Sequence, residues 1–191
     1  PISEEFPYRI QSNYMIRRWK DYIPVGKALD LGIGMGKEIE YLLSQGYQVI
    51  GVDFSKVSIG KLRKKYSDKN CTFVNDDITH FDIQSSTYSL IICSLVLSHL
   101  SEKQVAELSK KIVNGLIPKG CLFINDLSDK DYMNKLESNS GLKRNFFTPE
   151  YLLDLFSDLE VIELSDSFIK EPKRIDYGGY FGLLNYIGRK K

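Results

Sequence analysis

The sequence predicts a doubly wound α/β fold, in which a mostly parallel β-sheet carries helices on both faces. Short apolar runs of strand length alternate with amphipathic segments through most of the 191 residues, and this alternation is typical of parallel strands joined by crossover helices. The length favours one domain with enough interior for such a sheet. A glycine-rich turn follows the first apolar run, at the place where folds of this class bind ligands.

The predicted elements follow one another in the order expected for this fold. Strands are predicted at Lys27 to Leu31, Gln48 to Asp53, Thr72 to Asn75, Ser89 to Ser94 and Cys121 to Asn125. Helices are predicted at Lys37 to Ser44, Lys56 to Tyr66 and Glu102 to Leu116. Ser101 and Gln104 have the spacing of a capping box at the start of the third helix, and Gly115 and Pro118 mark its end.

The alternation stops after the fifth strand. Residues 127–147 form a predicted insertion, because the stretch from Leu127 to Asn145 is rich in Ser, Asn, Asp and Lys and has no clear periodicity. Thr148 and Pro149 then have the chemistry of a helix cap and a first helical turn. Two late strands follow at Val161 to Ile169 and Gly179 to Ile187. The short link between these strands favours an antiparallel hairpin.

Composition limits the classes of partner. The net charge of +1 gives no overall field that would attract nucleic acid or an anionic membrane. No apolar run is long enough to cross a bilayer, and the first eight residues lack the layout of a signal peptide, so a cytoplasmic location is expected. The three cysteines lie in apolar stretches and are expected to be reduced core thiols. His80 and His99 share no ligand spacing with each other or with Cys, so no metal is predicted.

The segment from Ala28 to Gly36, with the sequence A-L-D-L-G-I-G-M-G, predicts a ligand site. It is a strand that runs directly into a glycine-rich turn and a helix, beside the crevice of a doubly wound sheet. Glycines in such a turn permit positive φ and close approach of a ligand to the backbone. The spacing G-x-G-x-G differs from the dinucleotide fingerprint G-x-G-x-x-G, which needs a glycine where this chain has Lys37, and the phosphate-binding pattern G-x-x-x-x-G-K-[ST] does not occur.

Carboxylates follow the next two predicted strands. Asp53 ends the second strand about 20 residues beyond the glycine turn, where it is placed to accept hydrogen bonds from a ribose diol, and Phe54 is placed to pack on the sugar or base. Asp77, after the third strand, is placed to accept from the exocyclic amine of an adenine, whose face Ile78 would cover. Alternatively, Asp76 and Asp77 are ordinary turn residues. The carboxyl ends of parallel strands share one edge of the sheet, so the glycine turn, Asp53 and Asp77 are expected to lie close together. This convergence favours a nucleoside site.

These segments, in this order and spacing, resemble the successive motifs of class I S-adenosylmethionine-dependent methyltransferases. The matching segments are A-L-D-L-G-I-G-M-G, G-V-D-F-S at Gly51 to Ser55, N-D-D-I at Asn75 to Ile78 and L-I-I-C-S-L-V-L-S-H-L at Leu90 to Leu100. The similarity is closest to small bacterial-type enzymes that act on small molecules, and it extends from about Ala28 to the final strand. Many members carry an acidic residue where this chain has Ser89, at the strand end away from the ligand.

The resemblance implies a Rossmann-like, seven-stranded sheet with an antiparallel C-terminal strand, S-adenosylmethionine as the cofactor and S-adenosylhomocysteine as the product. The cofactor-binding residues that it implies are Asp30, Gly32, Gly34, Gly36, Asp53, Asp77, Ile78 and Ser94. Asp30 and the three glycines would surround the methionine part of the cofactor, and Asp53 would bind the ribose hydroxyls. Asp77 and Ile78 would bind the adenine, and Ser94 would place its backbone near the methionine amine.

Two further candidates lie outside these motifs. Within a predicted helical lid over residues 1–26, the stretch from Tyr8 to Tyr22 alternates aromatic and basic residues, and Tyr14 or Arg17 would meet the cofactor's carboxylate or sulfonium. The alternative is a packing helix with solvated cations. His99 is the candidate general base for an acceptor that must lose a proton, and the alternative is an ordinary polar residue ahead of the helix cap.

The sequence therefore predicts one methyltransferase domain over residues 1–191, which transfers the methyl group of S-adenosylmethionine to a small-molecule acceptor by direct displacement. A non-catalytic nucleoside-binding module fits the same motifs. A nicotinamide-dependent oxidoreductase is disfavoured by the glycine spacing. A nucleic-acid methyltransferase is a further alternative, although the net charge of +1 does not favour nucleic acid as a binding partner. The motifs specify neither the acceptor nor the oligomeric state.

Overall fold

The computed structural model describes residues 15–131, 144–170 and 180–191. Its strands are β1 Lys27–Leu31, β2 Gln48–Asp53, β3 Cys71–Asn75, β4 Tyr88–Ser94, β5 Leu116–Leu127, β6 Leu159–Lys170 and β7 Tyr180–Lys190. Its helices are α1 Ile39–Ser44, α2 Lys56–Lys65, α3 Glu102–Gly115 and α4 Pro149–Leu155. Two 3-10 turns, Lys20–Tyr22 and Leu97–His99, precede β1 and α3.

The seven strands form a sheet in the order β3-β2-β1-β4-β5-β7-β6. Strands β1 to β5 run parallel to one another, whereas β7 pairs antiparallel with both β5 and β6. The predicted doubly wound, mostly parallel sheet and its antiparallel C-terminal hairpin are therefore confirmed. The strand order reverses between β1 and β4, so the ligand crevice of such a fold opens at the carboxyl ends of these two strands.

Both faces of the sheet are buried, which is why its strands are almost continuously apolar. Leu29 and Ile91 belong to the core beneath α3 and α4, whereas their neighbours Ala28 and Ile92 belong to the core beneath α1 and α2. This alternation follows from the period of two in a strand. The core on both faces fixes the strand ends, and with them the loops of the crevice.

Strand β5 begins at Leu116, immediately after α3, whereas the sequence pattern predicted a start at Cys121. Leu116 pairs with Tyr88, and the register shifts before Leu90 pairs with Cys121. The interruption contains Pro118, which has no N–H to donate to a ladder. The sequence pattern therefore captured only the regular part of the strand.

Helices α2 and α3 begin at the predicted residues and each ends one residue earlier than predicted, at Lys65 and Gly115. Ser101 and Gln104 form the predicted capping box at the start of α3. Helix α1 begins at Ile39 rather than at Lys37, because the turn continues through Gly36 at a φ of 70°. None of the helices described here is long and apolar enough to span a membrane.

The N-terminal segment packs on the sheet as far as the structure describes it. Residues 15–18 are helical, and Met15 and Ile16 are buried in the core that also contains α1 and α2. The indole Nε1 of Trp19 donates a hydrogen bond to Oε2 of Glu163 on β6 at 2.6 Å. Residues 15–19 thus pack on the rest of the fold. The lid expected over residues 1–26 stays a prediction, because residues 1–14 lie outside the described residues.

Candidate active site

The glycine turn after β1 is fixed by hydrogen bonds to β2. The N–H groups of Gly32 and Ile33 donate to the carbonyl oxygen of Val52 at 2.8 and 3.1 Å. Gly34 has a φ of 53°, and a Cβ added there would meet nothing closer than 3.9 Å. The backbone at Gly34 is therefore open to the close approach that a ligand needs.

Gly36 has a different environment. A Cβ added at Gly36 would lie 2.4 Å from Cδ1 of Ile39 and 2.9 Å from Cδ2 of Leu62. This glycine therefore lets α1 and α2 pack against the turn. Its expected contact with the methionine part of the cofactor stays a prediction.

Asp53, at the end of β2, lies directly against the glycine turn. Its Oδ2 accepts a hydrogen bond from the N–H of Gly34 at 2.8 Å, and its Oδ1 accepts one from the N–H of Ser55 at 2.8 Å. The residue is 7% exposed. Each carboxylate oxygen has two acceptor sites, so Asp53 retains the capacity to accept from a ribose diol while it holds the turn.

A cavity of about 470 Å³ opens at this edge of the sheet. It is lined by Gly32, Asp53, Phe54, Asp77, Ile78, Leu95, Val96, His99 and Leu100. The volume lies within the range of small-molecule and cofactor sites. Three of the lining residues, Leu95, Val96 and Leu100, were not predicted, because apolar residues after a strand have no distinguishing signal in the sequence.

Phe54 and Ile78 give the cavity apolar surfaces of different character. The Phe54 side chain is 84% exposed, so its ring is available to pack against a bound molecule, whereas Ile78 is buried beside the cavity. Flat apolar contacts of this kind suit a nucleoside, whose base has two apolar faces. This arrangement agrees with the positions expected for both residues.

Asp77 forms a turn and also lines the cavity, and its contact with an adenine stays a prediction. Its Oδ1 accepts hydrogen bonds from the N–H and Oγ1 of Thr79 at 2.9 and 2.8 Å, as in a turn-forming aspartate. These bonds hold the pKa of the Asp77 carboxyl below its usual value. Because the side chain also lines the cavity, the turn presents an ionised acceptor to a ligand.

Asp30, at the end of β1, is buried near the turn. Burial, followed by the neighbouring charges of Glu38 and Asp53, raises its pKa well above the usual value, and Lys37 opposes this effect. A cation placed nearby would stabilise the ionised form of Asp30. The methionine amine and sulfonium of the expected cofactor both carry such a charge.

The structure does not bring every candidate to the cavity. Ser94 ends β4 next to Leu95 but is not among the lining residues. The guanidinium carbon of Arg17 lies 4.5 Å from the centroid of the Tyr41 ring on α1, away from the cavity lining. Tyr14 lies outside the described residues. Asp30, Gly34 and Gly36 are not among the lining residues either. The cofactor contacts expected of all these residues stay predictions.

Asp126 is a buried residue near the site that sequence reasoning did not select. It lies near the end of β5 and accepts hydrogen bonds from the N–H groups of Val96, Leu97 and Ser98. The signal that would have found it is its place after the apolar run of β5, which repeats the pattern of Asp30 and Asp53 at the ends of β1 and β2.

The chain matches known proteins in the region that builds this site. A family model described as "Methyltransferase domain" matches residues 28–120, from β1 into β5. The wheat protein "Phosphoethanolamine N-methyltransferase 1" is 30% identical over 102 residues, which are 51% of this chain and 20% of that protein. "Carboxy-S-adenosyl-L-methionine synthase" from Shewanella denitrificans is 26% identical over 170 residues, which are 82% of this chain and 69% of that protein. The chain thus spans about a fifth of the first relative and about two thirds of the second.

Solved structures share the fold. A S-adenosylmethionine-dependent methyltransferase from Methanosarcina mazei superposes with a TM-score of 0.73 at 16% identity, over 90% of this chain and 95% of that one. The 1,6-didemethyltoxoflavin-N1-methyltransferase of Burkholderia thailandensis, solved with S-adenosylhomocysteine bound, superposes with a TM-score of 0.74 at 18% identity, over 98% of this chain and 80% of that one. At these identities the likeness concerns the fold.

The sequence match, the strand order and the site geometry agree with one another. The matched region contains Gly32 of the glycine turn, Asp53, Asp77 and the turn after β4, which all line the cavity at the switch point of the sheet. These residues fit S-adenosylmethionine, because they offer an open glycine backbone and carboxylates beside apolar surfaces. Residues 28–120 are therefore similar to methyltransferase domains, and the fold of the chain is that of solved S-adenosylmethionine-dependent methyltransferases.

Proposed function

We propose that this chain transfers the methyl group of S-adenosylmethionine to a small-molecule acceptor that reaches the cavity beside His99. The observation that carries the proposal is the composition of the cavity. Asp53, Asp77 and Ile78 line it together with His99 and Leu100 from the turn after β4. One continuous space therefore joins the nucleoside residues to a group able to accept a proton.

The cofactor, when bound, supplies an electrophilic methyl group on a positively charged sulfur. The residues of the chain bind and orient it: Asp53 accepts from the ribose hydroxyls, Asp77 accepts from the adenine amine, and Ile78 covers the base. The open backbone at Gly34 allows the methionine part to approach the turn. The buried carboxyl of Asp30 provides negative charge near the cationic groups.

The enzyme's main contribution to a direct displacement is alignment of the three reacting atoms and exclusion of water. The acceptor's lone pair forms the new bond to the methyl carbon as the carbon–sulfur bond breaks and its electrons remain on sulfur. An acceptor that begins protonated must also lose a proton. His99 is exposed on the 3-10 turn and lines the cavity, so it is the side chain proposed to take that proton.

A small-molecule acceptor is favoured by the dimensions and charge of the protein. The cavity of about 470 Å³ is of the size that encloses cofactors and small ligands. The net charge of +1 offers no general attraction for nucleic acid. One relative, the wheat phosphoethanolamine enzyme, is named for a small substrate.

Calorimetric titration of the purified protein with S-adenosylhomocysteine and, separately, with NAD⁺ tests the cofactor part of the proposal. We expect the first ligand to bind and the second not to bind. Binding of NAD⁺ with no response to S-adenosylhomocysteine would contradict the proposal.

Turnover is the second part of the test. The protein would be incubated with S-adenosylmethionine carrying a labelled methyl group and a panel of small amines, phenols, thiols and carboxylic acids. We expect label to appear in one chemical class together with S-adenosylhomocysteine. Cofactor binding without transfer to any small molecule or RNA would instead support the non-catalytic nucleoside-binding module, and transfer to RNA alone would support a nucleic-acid methyltransferase.

A further inference from the structure

One short segment, residues 95–100, supplies four of the cavity-lining side chains. Leu95, Val96, His99 and Leu100 all line the cavity, and the 3-10 turn Leu97–His99 lies between them. A turn of three residues has few internal hydrogen bonds with which to hold its own shape. This segment forms one wall of the cavity, and its position therefore depends on contacts with the residues around it.

Asp126 holds the segment from the side of β5. Its Oδ2 accepts from the N–H groups of Val96, Leu97 and Ser98 at 3.0, 2.8 and 3.3 Å. Its Oδ1 accepts from its neighbour Leu127 at 2.9 Å. The side chain is fully buried, and burial raises its pKa, while the hydrogen bonds oppose that rise. The carboxylate thus satisfies three successive backbone donors that would otherwise be left without partners in the interior.

Asn145 holds the same segment from the opposite end. Its backbone N–H donates to the carbonyl oxygen of Ser98 at 2.8 Å, and its side-chain Nδ2 donates to the carbonyl oxygen of Leu100. Asn145 lies near the end of the predicted insertion, where Ser128 and Phe147 form a parallel bridge. The amide groups of Val96 to Ser98 and the carbonyl groups of Ser98 and Leu100 are therefore held by two distant parts of the chain.

Leu95 shows that this conformation needs such support. Its φ is 54°, in the left-handed region that residues other than glycine seldom adopt. Its N–H donates a hydrogen bond to the carbonyl oxygen of Asn125 at 2.7 Å. Backbone conformations of this kind persist only where the surrounding structure holds them. The contacts from β5 and from Asn145 supply that constraint.

We infer that Asp126 and Asn145 are positioning residues, which jointly place His99 and Leu100 against the acceptor and so help to select which acceptor binds. Neither side chain is among the residues that line the cavity, so both act through the segment 95–100. The effect on acceptor choice rests on the proposed function. The placement of His99 does not, because the contacts exist without any ligand.

The side chain of His99 can be observed directly, because the chain contains only two histidines. In a two-dimensional NMR spectrum of histidine-labelled protein without ligand, His80→Gln removes one ring signal and so assigns the other to His99. We expect Asp126→Asn to shift or broaden the His99 signal by more than its linewidth and to leave the His80 signal in place. Asparagine keeps one acceptor oxygen, so its amide nitrogen, which cannot accept, must face either the three N–H groups of the segment or the N–H of Leu127.

Asn145→Asp provides a second variant for the case in which Asp126→Asn does not fold. It preserves the size of the side chain and removes the donor that bonds Leu100. We expect the same selective movement of the His99 signal. Asp131→Asn is the matched control, because Asp131 is also buried and accepts from a backbone N–H, that of Gly182 at 2.6 Å, away from the segment. We expect this control to leave His99 unchanged.

Two results would overturn the inference. One is a His99 signal that stays in place in the folded Asn145→Asp protein. The other is an Asp131→Asn control that moves His99 as far as the Asp126 and Asn145 variants do, since the effect would then be general loosening of the fold.

Titration of the wild-type protein with S-adenosylhomocysteine tests the proposed function separately, so the two failures are distinguishable. Once an acceptor is known, Asn145→Asp should raise its KM more than it weakens binding of S-adenosylhomocysteine. Equal loss of affinity for both ligands would contradict the assignment of this wall to the acceptor.

Discussion

The carboxylate of Asp53 accepts a hydrogen bond from the backbone N–H of Gly34 at 2.8 Å, so the end of β2 fixes the glycine turn that follows β1. The sequence assigned Asp53 to the ribose alone. The structure adds a second function, since one side chain organises the turn and remains able to bind the ligand. Replacement of Asp53 should therefore have two separable effects.

Asp53→Ala should lower the affinity for S-adenosylhomocysteine by about 10- to 150-fold, which corresponds to a loss of about 1.5 to 3 kcal/mol for a charge-assisted acceptor. It should also lower the midpoint of thermal unfolding, because the N–H groups of Gly34 and Ser55 lose their partner. Calorimetry with a ligand lacking the ribose hydroxyls separates the effects. We expect a smaller loss for that ligand than for the normal one, and equal losses would show that Asp53 does not bind the ribose.

Asp30→Asn should make the folded protein more stable at neutral pH and should lower its affinity for S-adenosylhomocysteine. Burial and the charges of Glu38 and Asp53 raise the folded-state pKa of Asp30. Between the unfolded and the raised folded pKa the native state binds more protons, so the contribution of Asp30 to stability falls as pH rises through that window. Removing the ionisable group should abolish this fall. Thermal unfolding of both proteins across the window would measure it.

Asp77→Asn serves as a control, because its effect on folding stability at neutral pH should be opposite to that of Asp30→Asn. Hydrogen bonds from Thr79 lower the pKa of Asp77, so its contribution to stability is present above the unfolded pKa and is lost as pH falls through the folded pKa. The variant should therefore be less stable than wild type at neutral pH. If Asp30→Asn and Asp77→Asn shift stability in the same direction there, the account of Asp30 is wrong.

Gly34→Ala and Gly36→Ala should separate ligand approach from packing. Both glycines have positive φ, so each substitution should cost about 1 to 2 kcal/mol of stability for that reason alone. Gly36→Ala should cost more, because its Cβ would lie 2.4 Å from Ile39. Gly34→Ala should lower the affinity for S-adenosylhomocysteine more than Gly36→Ala does, although it costs less stability. Chemical denaturation and calorimetry on both variants check this, and the opposite ranking in stability would contradict the packing argument.

His99→Asn should lower kcat by about 100- to 10,000-fold for an acceptor that must lose a proton, as removal of a general base does. Binding of S-adenosylhomocysteine should change far less, because Asp53, Asp77 and Ile78 remain. The pH dependence of kcat in both proteins is the informative measurement. A variant with the wild-type rate and pH profile would make His99 an ordinary polar residue of the turn.

Much of the fold and two thirds of the residues that line the cavity follow from local patterns. Strands β1 and β2 occupy the predicted residues because each is an apolar run with an aspartate at or next to its end, Asp30 in β1 and Asp53 in β2. Parallel strands then bring their carboxyl ends to one edge, which is why Asp77 and Ile78 lie in the same cavity. Such inference needs only periodicity and topology.

The remaining features depend on contacts between distant residues. Asp126 bonds Val96 across 30 positions, and the pattern of either segment alone does not specify that pair. Part of the crowding at Gly36 arises from Leu62 on α2, which is distant in the sequence. The position of Arg17 on Tyr41 depends on how the N-terminal segment crosses α1. These are consequences of packing, which sequence spacing does not encode locally.

The most direct test of the central claim is a map of amide chemical-shift changes when S-adenosylhomocysteine is added to the wild-type protein. The account predicts changes concentrated at the glycine turn, at Asp53 and Phe54, at Asp77 and Ile78, and in the segment 95–100 that lines the cavity. Binding that instead shifts residues away from this edge of the sheet, or addition of the ligand without any shift, would contradict the assignment of the cofactor to this cavity.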